Sequence, residues 1–197
     1  MSVKLLSYTN DYKKVLMTAV SQCYQSKPSM SAVEHCINAG HYSVLEHCIA
    51  TFEVTCSLQV LLQLTRHRHL SFTVQSSRGS ELDCTVDTGD KITNLLIAET
   101  MKGYIHRLEA GVSLEDCAYL LPKAITYNLV VTGNFRAWLE YLPKRLCKRT
   151  QEEHRKLAKA IHEELKAYIP EVFDRPLVNC ENCKENQCNF KGDTSND

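Results

Sequence analysis

Apolar residues recur along the chain with two different periods, and the changes of period divide it into elements. Over residues 10–24, Val15, Leu16, Ala19, Val20 and Cys23 return at helical spacing, with Asn10 as the expected N-cap. A second short helix is expected over 31–40, SAVEHCINAG, ending on Gly40, where a left-handed residue commonly closes a helix. The period then drops to two: Ala50, Phe52, Val54 and Cys56 alternate with Thr51, Glu53 and Thr55, which predicts a strand over 48–56. Leu58, Leu61, Leu62 and Thr65 restore the helical period and deliver the chain to Arg66. The run Arg66-His67-Arg68-His69 therefore sits at or just past a helix C-terminus, where the macrodipole favours positive charge.

In the second half, Ile92, Leu95, Leu96, Ile105 and Leu108 mark a long amphipathic helix over 91–110. Ser113 with Asp116 has the form of a capping box for a short helix that ends near Pro122, and TYNLVV, 126–131, reads as a second strand. Asn134 is expected to cap a helix running towards Cys147, interrupted or kinked at Pro143. Thr150 with Glu153 caps a last helix whose apolar positions are Leu157, Ile161, Leu165 and Tyr168. Beyond Pro176 large apolar residues are few, and the chain is expected to be loosely held. The architecture this supports is α/β (α+β), a mixed sheet flanked by several helices, with one domain over 1–175 and a cysteine-containing tail over 176–197.

Composition narrows the class. The chain has 197 residues, 44% of them hydrophobic, with seven glycines and five prolines, as expected for a folded chain with one sizeable core. Its 23 Lys and Arg balance 23 Asp and Glu, which excludes a generally basic nucleic-acid coat and a strongly acidic, solvating chain. No apolar run reaches the length of a membrane span, and the N-terminus, MSVKLLSYTNDYKK, lacks a signal peptide's apolar stretch. A soluble, cytoplasmic protein without nucleic-acid or membrane partners is the expectation. Of the ten cysteines, Cys23, Cys36, Cys48, Cys56, Cys84, Cys117 and Cys147 stand singly among apolar neighbours and are expected to be reduced core thiols. Cys180, Cys183 and Cys188 crowd into the tail, and three thiolates would need a fourth ligand from elsewhere to hold zinc, so no metal is assigned.

Charge is uneven within that balance. Arg66, Arg68 and Arg78 fall in 13 residues that contain no Asp or Glu, interleaved with His67, His69, Ser71, Thr73, Gln75, Ser76 and Ser77. Guanidinium forks, imidazoles, hydroxyls and an amide are the groups that hold phosphates and base edges. A second basic cluster comprises Arg136, Lys144, Arg145, Lys148 and Arg149.

Arg66-His67-Arg68, seven intervening residues and then Ser76, continued by Gln75-Ser76-Ser77-Arg78, resembles the signature of the flavin-dependent thymidylate synthases. Upstream, Gly40-His41-Tyr42-Ser43-Val44-Leu45-Glu46-His47 is similar to the family's GHxSxxEH segment. Leu121-Pro122, Asn134-Phe135-Arg136 and Arg145 follow as three further landmarks in order. The resemblance covers roughly residues 10–170 and implies a homotetramer that binds FAD and the pyrimidine nucleotide dUMP. It further implies that NADPH reduces the flavin and that methylenetetrahydrofolate supplies the one-carbon unit placed on the pyrimidine. Carried over by position, Ser43, Arg66, His67, Arg68, Asn134, Phe135 and Arg136 would bind FAD. Gln63, Arg66, Gln75, Ser76, Ser77, Arg78 and Arg145 would bind the nucleotide. Arg145 would be the catalytic residue, its fixed charge favouring the pyrimidine anion. For His41 the resemblance leaves a folate-side or flavin-stacking role beside a structural one, and Glu46 and His47 are read as structural.

The match has gaps. Ala118 stands where the family's Glu-x-Ala-Arg has its Arg, Val74 replaces a usual Glu, Gly79 a common Tyr, and Glu140 an Asn. One reading keeps dUMP methylation, with Lys123 or a residue of another subunit as the substitute phosphate ligand. A second has a one-carbon hydroxymethyl group added to a related pyrimidine nucleotide without NADPH. A reading from another class joins the basic segment to the tail cysteines as a non-enzymatic nucleic-acid-binding protein with a zinc knuckle.

Overall fold

The computed structural model describes residues 1–25, 27–185 and 188–190. Its strands are β1 (Ser2–Tyr8), β2 (Ile49–Ser57), β3 (Ser71–Val74) and β4 (Thr126–Asn134), joined in one sheet of order β1-β2-β4-β3. Its helices are α1 (Tyr12–Tyr24), α2 (Met30–Asn38), α3 (Leu58–Leu64), α4 (Lys91–Glu109), α5 (Leu114–Cys117), α6 (Phe135–Leu146), α7 (Glu152–Tyr168) and α8 (Pro170–Phe173). The mixed α/β architecture is the one expected. Within the sheet, β1 and β2 run antiparallel, since Ser2 reaches Thr55 at one end (3.0 Å) and the Thr9 amide reaches the Ile49 carbonyl at the other (3.1 Å). So do β2 and β4, where Thr51 meets Thr132 at 2.9 Å and Thr55 meets Asn128 at 2.7 Å. Ala50, Phe52, Val54 and Cys56 on β2 are fully buried, as their alternation predicts.

The chain forms two compact units, one of residues 1–3 and 53–131 and one of residues 4–52 and 132–197. In the first, Ser57, Asp90 and Ser113 cap α3, α4 and α5, accepting from the Val60, Thr93 and Asp116 amides at 3.2, 2.8 and 3.1 Å. The Ser113 cap is the one read from the sequence, with its hydroxyl donating to Asp116 Oδ2 at 2.7 Å, and α5 runs into a 3-10 turn at Ala118–Leu120. Two helix faces differ from expectation. On α3, Val60, Leu61 and Leu64 are buried while Leu62 is exposed. On α4, Met101 and Tyr104 are buried, but Ile92, Leu95 and Leu96 are 69%, 66% and 64% exposed. The apolar stripe of α4 is real, yet its N-terminal part is exposed, while the helix packs against α5 and its 3-10 turn.

In the second unit, α1 starts one residue later than predicted, with Asp11 rather than Asn10 at the N-cap position and no side-chain cap. Ser29 caps α2, and Gly40, at φ +78°, takes the left-handed conformation expected after it. Asn134 caps α6 by accepting from the Ala137 amide at 2.8 Å, and the helix spans Pro143 without interruption. Thr150 does not cap α7. Its hydroxyl donates instead to the Lys144 carbonyl (2.9 Å), closing the end of α6, and Gln151 takes the N-cap position. Phe52 meets Trp138 edge to face at 5.2 Å, Trp138 meets Tyr141 at 5.6 Å, and the Tyr141 hydroxyl lies 3.2 Å from Nε2 of buried His154. Leu157, Ile161 and Leu165 of α7 are buried as predicted, whereas Tyr168 is exposed.

The cysteine reading needs one correction. Cys36, Cys48, Cys56 and Cys117 are buried and Cys147 is half-buried, but Cys23, in the last turn of α1, and Cys84, in the segment between β3 and α4, are exposed. None of the ten forms a disulfide. Burial, with a smaller contribution from Asp11, pushes the Cys48 thiol up to about 11, so it is protonated and unreactive near neutrality. Among the described residues no group of three or more His, Cys, Asp or Glu forms a cation site, and no helix is long and apolar enough to cross a membrane.

Candidate active site

The basic segment of the first unit is built from the end of α3. The Thr65, Arg66 and His67 amides donate to the Leu61, Gln63 and Leu64 carbonyls at 3.0, 3.3 and 3.1 Å, and the Leu70 amide closes the loop on His67 at 3.0 Å. Leu64 and Leu70 are buried at either end, so the residues between are displayed while both ends are fixed. Arg66 and Arg68 are exposed and His67 is half-buried. Neither arginine has an ion pair with another described residue. Gln63, half-buried one turn earlier, donates through Nε2 to the Gln59 carbonyl at 3.3 Å.

The chain then enters β3 and leaves it in a tight turn over 75–80. The Gly79 and Ser80 amides donate to the Ser76 carbonyl at 3.2 and 3.1 Å, and the Arg78 amide donates to Ser76 Oγ at 3.2 Å. Ser76 and Arg78 are exposed, and the Arg78 guanidinium stands 3.9 Å from Glu115, itself exposed. Glu115 is the acid of the incomplete Glu-x-Ala-Arg landmark. Ala118 opens the 3-10 turn after α5 and presents no polar group. Lys123, exposed, lies beside the first turn of α3, its carbonyl accepting from the Gln59 amide at 3.1 Å.

The remaining candidates belong to the second unit. Ser43 is exposed in a 3-10 turn at Tyr42–His47, and His41 is exposed just ahead of it without a capping bond. Asn134 is half-buried and uses its carboxamide oxygen as the α6 cap. Phe135, assigned to FAD by the resemblance, is a core residue: its ring is fully buried against Tyr12 (5.9 Å) and Phe173 (5.6 Å), and its amide donates to the Cys48 carbonyl at 2.9 Å. Its ring and N–H anchor α6. Arg136, one residue on, is held by two carboxylates, Nε to Glu140 at 2.8 Å and Nη1 to Glu46 at 2.6 Å. Glu140 first, then Glu46, hold the guanidinium further above its already high ordinary value. The Glu140 pair was readable as an i, i+4 partner; Glu46, 90 residues away, was not. Arg145 is half-buried in the last turn of α6, where a cation is favoured.

A family model described as "Thymidylate synthase complementing protein" matches residues 4–171. The flavin-dependent thymidylate synthase of Saccharolobus solfataricus is 34% identical over 202 residues, spanning 91% of this chain and 78% of that one. The probable flavin-dependent thymidylate synthase of Mycobacterium phage D29 is 31% identical over 172 residues, spanning 76% and 73%. Among solved structures, thymidylate synthase X from Helicobacter pylori with FAD and dUMP superposes with a TM-score of 0.80 at 22% identity, covering 88% of this chain and 97% of that one, a likeness of fold.

Proposed function

The chain belongs to the thymidylate synthase complementing protein family and is an enzyme of the flavin-dependent thymidylate synthase type, and from that premise we propose that it methylates dUMP to dTMP on bound FAD, with methylenetetrahydrofolate as carbon donor and NADPH as reductant. Membership favours this over the non-enzymatic reading. The observation that carries it is the first-unit loop pair: Arg66 and Arg68 displayed without carboxylate partners among the described residues, followed by a preformed Ser76–Arg78 turn.

That donor set fits a dinucleotide and a nucleotide. Paired guanidinium forks suit a pyrophosphate, which lysine would meet only as a point charge. In this reading Ser43, Asn134, Arg136 and His67 complete the FAD contacts, with Phe135 contributing only by holding α6 in place. Ser76, Ser77, Arg78 and Gln63 orient the nucleotide, with hydroxyl and amide donors around its phosphate and Arg78 balancing its charge. Lys123 is the candidate cation for the place that Ala118 leaves empty of charge. Arg145 faces the pyrimidine, where a fixed positive charge favours the N3 anion and raises electron density at C5. The chemistry that FAD supplies when bound is hydride transfer, loaded by NADPH. The exposed face of Ile92, Leu95 and Leu96 supports a homotetramer, since contiguous exposed apolar surface of this kind marks association sites. A cytoplasmic location completes the reading, in keeping with ten cysteines that form no disulfide.

Purified protein is expected to be yellow and to convert dUMP and methylenetetrahydrofolate to a product carrying a methyl group by mass, dependent on NADPH. A hydroxymethyl product formed without NADPH would replace methylation by the second chemistry, and a protein that takes up no FAD would end both. Arg145→Ala should lower turnover by about two or more orders of magnitude while flavin stays bound.

A further inference from the structure

The 75–80 turn carries three residues of the proposed nucleotide site, yet Val74 just before it and Gly79 within it bring no polar side chain to hold it. What fixes it lies elsewhere. The Gln75 amide donates to the Asn128 carbonyl on β4 at 2.9 Å, and the Asn128 amide donates back to Gln75 Oε1 at 3.2 Å. The Gln75 side chain thus adds one more rung to the β3–β4 ladder, past the last residue of β3. Its Nε2 donates to Ser80 Oγ at 3.1 Å, and Ser80 Oγ donates to the Ser76 carbonyl at 2.9 Å. The orientation of the carboxamide is determined by this pattern, because a backbone N–H can meet only its oxygen. Asn128 is itself tied into the sheet, its Oδ1 accepting from Thr55 at 2.7 Å, and Thr55 in turn accepting from Ser2 at 3.0 Å.

We infer that Gln75 and Ser80 are positioning residues: they brace the nucleotide-binding turn against β4 and so hold Ser76, Ser77 and Arg78 ready for a nucleotide phosphate. This inference rests on the nucleotide role proposed for that turn. It changes the part given to Gln75, whose carboxamide oxygen and nitrogen are both engaged within the chain, and it adds Ser80 and Asn128, which no motif singles out. Gly79 is not what shapes the turn. Its φ is not in the left-handed region, and a Cβ there would meet only Ser76 atoms at ordinary contact distances of 3.8 and 3.9 Å. The turn is thus held by hydrogen bonds from the sheet.

A double-mutant cycle in the full-length enzyme tests the brace. Gln75→Ala and Ser80→Ala should each raise the KM for dUMP about five- to tenfold, Ser80→Ala with kcat unchanged, and the double variant should be no worse than either single one. Ser80→Thr, which keeps the hydroxyl, should restore the original KM. Additive effects, or Ser80→Ala with an unaltered KM, would show Gln75 to be a direct ligand and overturn the proposal. Amide hydrogen exchange on the ligand-free protein separates this from the nucleotide reading: Ser80→Ala should speed exchange at Gly79 and Ser80 whether or not dUMP is the substrate. Unchanged exchange there would refute the brace even if the enzyme methylates dUMP.

Discussion

Arg136 and the pair Arg66 and Arg68 are the same side chain placed in opposite electrostatic settings. Arg136 stands in the first turn of a helix whose next residues are core, and Glu140 and Glu46 hold its fork at 2.8 and 2.6 Å. Arg66 and Arg68 stand on a loop, exposed, without a carboxylate partner among the described residues. The compensated arginine is oriented before any ligand arrives, but much of its charge is already balanced. The uncompensated pair must be ordered by what binds, and brings its charge undiminished. Arg78, with a single exposed Glu115 at 3.9 Å, lies close to the second kind. In the proposed FAD site this contrast divides the labour: loop arginines supply affinity for anions and the helix arginine supplies direction.

The largest expected effect follows from the loop pair. Arg68→Ala should weaken FAD binding roughly tenfold to hundredfold, the range for loss of one charged hydrogen bond, and leave thermal stability unchanged because no described carboxylate depends on it. Flavin titration and a melting curve read the two quantities separately. If Arg136→Ala proved the more damaging to affinity, the division would be reversed.

Much of this arrangement was legible in the sequence, for reasons that differ by element. The β2 strand and the Ser113 and Asn134 caps depend on residues within four positions of one another, and each was readable. β1 was not, because the Leu5–Leu6 pair blurs the alternation of a strand whose exposed positions include Leu6. β3 has four residues, and pairing with β4 rather than its own composition marks it as a strand. The stripe on α4 was read as the apolar face of an amphipathic helix, but its exposure was not readable, since periodicity identifies a face but not what lies against it. At the site, residue types with their spacing found the loop arginines. The groups that restrain the site were hidden: Glu46 acts over 90 residues, and Asn128 over 53.

A smaller effect tests the compensated arginine directly. Glu140→Gln keeps a hydrogen-bond acceptor for Nε and removes one of the two negative charges. Affinity for FAD should rise about threefold, while affinity for riboflavin, which lacks the pyrophosphate, should stay level. The gain should shrink as salt is added. A fall in FAD affinity would mean that the second carboxylate is needed to aim the guanidinium, and that direction outweighs charge at this position.

The smallest effect concerns another compensated group, one given no role in the proposed site, and so isolates what compensation does to the fold alone. Glu171, in α8, accepts from the Tyr12 hydroxyl and pairs with Lys13. Partial burial pushes its carboxyl up, but the Lys13 and Tyr12 hydrogen bonds outweigh burial and hold it below the usual range. A lowered folded value means that the unfolded chain takes up this proton first as pH falls. The stabilisation is therefore present above the ordinary glutamate range and lost as pH drops through the folded value. Because the pair is part-exposed, the effect is modest. Thermal melts of the native protein and Glu171→Gln should differ near neutrality and converge in acid, below the ordinary glutamate range. A difference that persisted unchanged into acid would show that Glu171 acts through shape or neutral hydrogen bonding, and would separate it from the electrostatic class to which Arg136 belongs.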